Sequence, residues 1–137
     1  MATTHAASTP ATSKSLILPY LLVLLAAVAA LQIFIAVQGI TPVAAIGLFV
    51  IAAAIFIWHW GNRKALNKVR FGNAVTHAMA YVVVNASFAL HAMLGGAFTA
   101  GAPEPGWVAS AIAMPAFWGI GLVVHLFGAT LGGGWKD

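Results

Sequence analysis

The fold is decided by residues 16–37, which read LILPYLLVLLAAVAALQIFIAV. The run holds no charged residue, and Gln32 is its only strongly polar side chain. About 20 consecutive apolar residues are enough for one helix to cross a bilayer. The run therefore predicts a transmembrane helix.

Three further apolar runs follow, at residues 42–60, 71–98 and 107–131. Hydrophobic residues make up 62% of the 137-residue chain and charged residues only 6%, whereas a soluble domain carries about 25% charged residues. A chain with so few charges must be covered by lipid. We therefore predict an all-α integral membrane protein in which four transmembrane helices form two consecutive hairpins, at residues 16–60 and 71–131.

The basic residues predict the orientation of these helices. Four of the six cations lie in the segment 61–70, which separates the hairpins. Because Lys and Arg accumulate on the cytoplasmic side of a membrane, this segment should be cytoplasmic. Lys14 and Lys136 then fall on the same side, so both termini are predicted to be cytoplasmic. We expect the inner membrane of a bacterium, with a polar N-terminal arm (1–15) and a C-terminal tail (132–137).

The composition excludes several classes of function. The chain has no cysteine, which removes disulfides, thiolate metal sites and cysteine nucleophiles. Its cations cluster beside apolar runs instead of covering one face of a soluble domain, so nucleic acid is not an expected partner. No Asp, Glu, Lys or Arg lies inside a predicted span. Without buried charges or a nucleophile–base pair, the chain is not expected to be an enzyme.

Polar side chains of the second hairpin fall on two helix faces, at helical spacing. The face on the third helix carries His77, Tyr81, Asn85 and His91. The face on the fourth helix carries Trp118, Gly121 and His125. An unpaired polar group in hydrocarbon costs several kcal/mol, so the two faces should meet each other or a partner protein.

The histidines suggest a cofactor. His77 and His125 should lie at the same depth near the cytoplasmic side, with His91 about 21 Å further out. A level pair on antiparallel helices is what a six-coordinate b-type haem needs, and Gly121 would leave room for its macrocycle. A single histidine, His91 or His125, could instead hold the magnesium of bacteriochlorophyll. The plainer alternative is that no cofactor binds and the polar side chains hydrogen-bond across the hairpin. His59, at a depth similar to His77, is interpreted as an interfacial residue beside two tryptophans.

Residues 63–127 resemble the bacterial 2TM domain family. The similarity begins with Arg70-Phe71 and is carried by HAMAYVVVN at residues 77–85 and by WGIGLVVH at residues 118–125. The resemblance implies a helical hairpin with an interior polar motif, formed here by Tyr81, Asn85, Trp118 and Gly121. Such domains occur alone or attached to sensor proteins, and the resemblance implies no particular activity. This chain departs from the pattern by its preceding hairpin and by His91.

Two functions are compatible with these patterns. The first is a small accessory or structural subunit of a larger membrane complex, of the respiratory or photosynthetic type, whose helices and N-terminal arm pack against other integral membrane subunits. The second is a cofactor carrier. It would be either a b-type cytochrome that uses His77 and His125 or a bacteriochlorophyll-binding subunit that uses His91 or His125.

Overall fold

The computed structural model describes residues 13–69, 71–99 and 101–133. These residues are all-helical apart from short turns, and four helical segments are long and apolar enough to cross a membrane, as predicted. Three of them are single helices, and the fourth span consists of a short helix, a π-helical turn and a long helix. The bounds are Ser13–Gln38 for α1, Pro42–Leu66 for α2, Gly72–Leu94 for α3, Pro105–Val108 for α4, Ala109–Ala113 for the π-helical turn and Met114–Gly133 for α5.

Helix α2 continues through most of the predicted loop at 61–70, so that prediction was wrong for residues 61–66. No proline and no left-handed residue interrupts this stretch. Arg63 and Lys64 fall in the last turn of α2, where the helix dipole favours cations. The basic residues therefore close a helix, and only a short turn after Leu66 separates it from α3. We call this end of the bundle the basic end.

The other helix ends also differ from the predicted ones. Helix α3 stops at Leu94 instead of Phe98, because Gly96 adopts a left-handed backbone (φ 68°) and the N–H of Ala97 donates to the carbonyl of Ala92 at 2.9 Å. Helix α1 begins and α5 ends inside the segments predicted as arm (1–15) and tail (132–137). The expected contact between the arm and another subunit falls mainly outside the described residues.

Helix α3 lies at the centre of the bundle and packs against α1, α2 and the fourth span. Tyr20 of α1 reaches Thr76 of α3, and Gln32 of α1 reaches Ser87. This nearly constant offset means that α1 and α3 run parallel. The buried residues of α3 are Gly72, Ala74, Thr76, Ala80, Val84, Asn85, Phe88 and Ala92.

The fourth span packs mainly against α3. The hydroxyl of Tyr81 donates to the carbonyl of Pro115 at 3.2 Å, and its ring meets Trp118 edge-on at 5.9 Å between centroids. The π-helical turn ends just before Pro115, whose missing N–H interrupts the ladder of helical hydrogen bonds. No described residue of α5 is buried, so α5 is the least covered helix of the four spans.

Candidate functional site

Three histidines from three different helices form a row at the basic end of the bundle. His77 of α3 is in the middle, with its ring centroid 4.1 Å from that of His59 on α2 and 4.9 Å from that of His125 on α5. His77 and His125 therefore lie side by side at the same end of the bundle. We refer to His59, His77 and His125 as the histidine row.

His59 is a buried member of this row and not the interfacial residue expected from its neighbours. Its Nδ1 lies 2.9 Å from the carbonyl oxygen of Ile55, so Nδ1 carries the proton and donates it. In the neutral ring Nε2 then accepts a hydrogen bond from the hydroxyl of Thr76, also at 2.9 Å. Both nitrogens of His59 are therefore engaged, and the ring ties α2 to α3.

His77 and His125 have ring nitrogens that make no hydrogen bond with the part of the chain that the structure describes. The Nδ1 of His77 lies 2.8 Å from the carbonyl oxygen of Asn73 and must donate to it, which leaves the lone pair on Nε2 without a partner among the described residues. The ring of His125 makes no hydrogen bond with any described residue. His125 is also an exposed residue. The two rings stack nearly parallel, with an interplanar angle of 30°.

This stacked pair differs from the axial pair of a six-coordinate haem. Two axial imidazoles point their nitrogens at one iron from opposite sides of the macrocycle, which puts their centroids about 6 Å apart for metal–nitrogen bonds of about 2 Å. Here the rings of His77 and His125 face each other at 4.9 Å. That spacing leaves no room for a macrocycle between them, so a haem does not fit between the two rings as they are placed.

His91 belongs to a separate network in the other half of the membrane-spanning bundle. Its Nδ1 donates to the amide oxygen of Gln32 at 2.7 Å, and the Gln32 amide nitrogen donates to the hydroxyl of Ser87 at 2.9 Å. The Ser87 hydroxyl donates in turn to the carbonyl of Val84. The ring of His91 also lies 5.1 Å from that of Trp107. No other histidine among the described residues contacts His91, and Gln32 of α1 is the partner that sequence reasoning missed.

The interior polar motif lies between these two groups. Tyr81 and Trp118 face each other across the hairpin, as predicted, and Gly119 lets the Tyr81 hydroxyl approach the fourth span. Asn85 is buried as predicted, but its amide nitrogen bonds the carbonyl of Tyr81 in its own helix. Its Oδ1 is buried without a partner among the described residues. Gly121, expected to leave space beside His125, does have open space around it.

Sequence reasoning missed His59, Thr76, Gln32 and Ser87 as members of these networks. One signal was available: Gln32 is the one strongly polar side chain of its span, and such a residue needs a partner in hydrocarbon. No family model, no curated protein and no solved structure matches this chain. The resemblance to the 2TM domain family stays a prediction that rests on the residues quoted for it.

Proposed function

We propose that this protein is a small accessory subunit of a larger membrane complex, of the respiratory or photosynthetic type, and that α5 is the helix that contacts its partner. Its polar side chains bond within or between its own helices, as His59 and the network of His91 do. Among the described residues no carboxylate is buried, and the hydroxyl of Thr76, which bonds His59, is fully buried between helices, so a structural role accounts for these side chains better than catalysis.

The observation that carries the proposal is a row of open glycines on α5. Gly121, Gly128 and Gly132 are seven and four residues apart, so they share one face of the helix. A Cβ atom added at any of them would meet no atom within 4 Å. We call these three residues the open-glycine face. Gly128 and Gly132 line an open cleft together with residues of the turn between α2 and α3.

Open glycines make a helix less stable unless another group packs closely against them. A glycine in a helix interior is about 1 kcal/mol less favourable than alanine. Lipid tails do not compensate for this free-energy cost, because they would pack against alanine equally well. Packing against another helix does compensate for the cost, since small residues four apart let two backbones approach closely in a membrane. The pair Gly128 and Gly132 has this spacing, and it borders an open cleft beneath the turn between α2 and α3.

The size of the solubilised complex that contains the protein, measured on a native gel, tests the proposal. The double variant Gly128→Leu/Gly132→Leu fills the open-glycine face without changing charge. We expect the wild-type protein, solubilised from its native membranes in mild detergent, to migrate within a larger complex on a native gel. The double variant should migrate as a smaller particle, with unchanged insertion into the membrane.

Gly61→Leu is the matched control, because Gly61 of α2 is also open and its substitution makes the same change on another helix. It should leave the complex intact. A wild-type protein that migrates alone, or a double variant that migrates with the full complex, would refute the proposed function.

The second candidate function, a cofactor carrier, is favoured by one feature of His91. Because Gln32 accepts the Nδ1 proton of His91, Nε2 keeps its lone pair and has no described partner. An imidazole held in this way is suited to be the single axial ligand of a magnesium chlorin or a haem. An absorption spectrum of the protein purified from cells that make both cofactors tests this candidate. A Soret or chlorin band that is lost in His91→Ala would support it, and a colourless protein would exclude it.

A further inference from the structure

The contact between His77 and His125 joins α3 to α5 through two groups that can change charge. The rings stack at 4.9 Å between centroids, with an interplanar angle of 30°. Hydrogen bonds to imidazole lie in the plane of the ring, so two rings that stack face to face do not share a proton between their nitrogens. The contact is therefore one of packing between two uncharged rings.

Protonation opposes this packing. Imidazole is the side chain that ordinarily changes charge between about pH 5 and 8. When both rings carry a proton, two like charges face each other across the stack, and the low dielectric beside lipid strengthens their repulsion. Each imidazolium is also better solvated by water than by hydrocarbon. Two protonated rings are therefore expected to separate.

The groups around the pair do not neutralise such charges. His77 also contacts the ring of His59 on α2, and the next ring in line is the phenol of Tyr20 on α1. Helices α3 and α5 contain no charged residue. The charged residues of α1, of α2 and of the turn that follows α2 are all cations, namely Lys14, Arg63, Lys64 and Lys68. Glu104, the one acidic side chain in the described part of the chain, precedes α4 at the other end of the bundle, and Asp137 lies outside that part.

The end of α5 that carries His125 is weakly held. Nearer the middle of the bundle, the bond from Tyr81 to the carbonyl of Pro115 and the ring of Trp118 connect the fourth span to α3. Beyond His125, the end of α5 borders the open cleft beneath the turn between α2 and α3. Gly119 and Gly121 lie between the two contacts, and glycine makes a helix easier to bend. The stacked pair is thus the last side-chain contact before the cleft among the described residues.

We infer that the stacked pair of His77 and His125 is a pH-sensitive contact, which holds the end of α5 against α3 when both rings are neutral and releases it when both are protonated. The stabilisation that the contact provides is fully present at neutral to alkaline pH and is lost as the pH falls. The inference does not depend on the proposed function, because the contact lies within one chain.

Spin labels on both sides of the cleft test the inference in the purified full-length protein. Asn67→Cys and Leu131→Cys suit this purpose, because Asn67 lines the cleft, Leu131 is exposed on α5 beside it, and the chain has no cysteine of its own. The distance between the labels, measured by pulsed EPR in detergent, should be longer at about pH 5 than at about pH 8. The change should reverse when the pH is raised again.

Glutamine variants show whether the pair causes the change. His125→Gln keeps a neutral polar side chain at an exposed position, so it should fold and show the same distance at both pH values. His77→Gln should also remove the response. His91→Gln and His5→Gln, which remove titrating rings outside the pair, should respond like the wild type.

Melting temperatures give a second readout. That of the wild type should fall more between about pH 8 and about pH 5 than that of His125→Gln. The inference is overturned if the distance in the wild type does not change with pH, if His125→Gln lengthens as the wild type does, or if His91→Gln loses the response. None of these measurements involves another protein, so the inference and the proposed function fail separately.

Discussion

The hydroxyl of Thr76 lies between two helices, 2.9 Å from Nε2 of His59 on α2 and 2.9 Å from the carbonyl oxygen of Gly72 on its own helix. The side chain is fully buried. If the hydroxyl is removed, Nε2 of His59 is left without a donor in a place that water does not reach. A buried polar atom left in this way costs more than the bond itself contributed.

We therefore expect Thr76→Val to destabilise the bundle by about 1 kcal/mol or more, although valine has nearly the shape of threonine. Thermal unfolding in detergent measures the effect. Thr76→Ser keeps the hydroxyl and should lie much closer to the wild type. Equal melting temperatures for Thr76→Val and the wild type would show that the bond to His59 contributes nothing.

Some residues of the candidate site could be predicted from the sequence, and others could not. The adjacency of His77 and His125 follows from helix direction and rise, because the two helices form one hairpin. The role of His59 does not follow, because residues 42–57 of α2 are all apolar and hydrophobicity then gives no sign of which face turns inward. The position of Asn85 was predicted correctly, whereas its bond to its own helix depends on side-chain geometry that spacing does not determine.

At the scale of the helices, the turn between α2 and α3 requires a glycine at position 72. A Cβ atom there would lie 2.5 Å from the carbonyl oxygen of Leu66 and 3.1 Å from Cβ of Val69. The side-chain amide nitrogen of Asn73 also donates to the side-chain oxygen of Asn67 at 2.7 Å, which links the two ends of the turn. The start of α3 is therefore pressed against the end of α2.

Gly72→Ala should destabilise the protein by about 1–3 kcal/mol, because the backbone of the turn must move to admit a methyl group. Gly61→Ala is the control: Gly61 is helical and open, and alanine there should be neutral or stabilising by up to about 1 kcal/mol. Chemical or thermal unfolding of the two variants in the same detergent makes the comparison. A Gly72→Ala protein as stable as Gly61→Ala would contradict the close approach of the two helices.

The helices themselves were predictable because lipid thickness sets their length, whereas their ends were not. Charged residues at 63–68 suggested a loop, yet a helix can carry its cations in the last turn, where the dipole and the membrane interface both favour them. The early stop of α3 depends on the left-handed conformation of Gly96, one of two successive glycines. Sequence alone does not say which glycine of such a pair leaves the helical region.

At the scale of the whole molecule, the two hairpins were predictable and the packing between them was not. Neighbouring helices joined by short turns must pair, but the parallel contact of α1 with α3 joins helices that are not consecutive. The bonds from Tyr20 to Thr76 and from Gln32 to Ser87 mark this contact. Such pairing depends on which small and polar side chains lie at the same depth. The periodicity of apolar residues does not indicate which helices will pair.

The orientation in the membrane is a further prediction for the whole molecule. The distribution of the cations places the basic end in the cytoplasm and residues 101–104 outside. Because the chain has no cysteine, single cysteines can be introduced without background. An impermeant thiol reagent added to intact cells should label Ala102→Cys and leave Asn67→Cys unlabelled. The reverse pattern would show that the orientation is wrong.

The proposed contact between the open-glycine face of α5 and another protein can be tested by photo-crosslinking in native membranes. Val124 is 66% exposed and lies beside Gly128 on α5, whereas Ile57 is 68% exposed on α2 near the same end of the bundle. A benzophenone side chain at Val124 should give a discrete adduct with one other membrane protein, and the same group at Ile57 should not. The absence of a protein adduct at Val124, or identical adducts at both positions, would contradict the account.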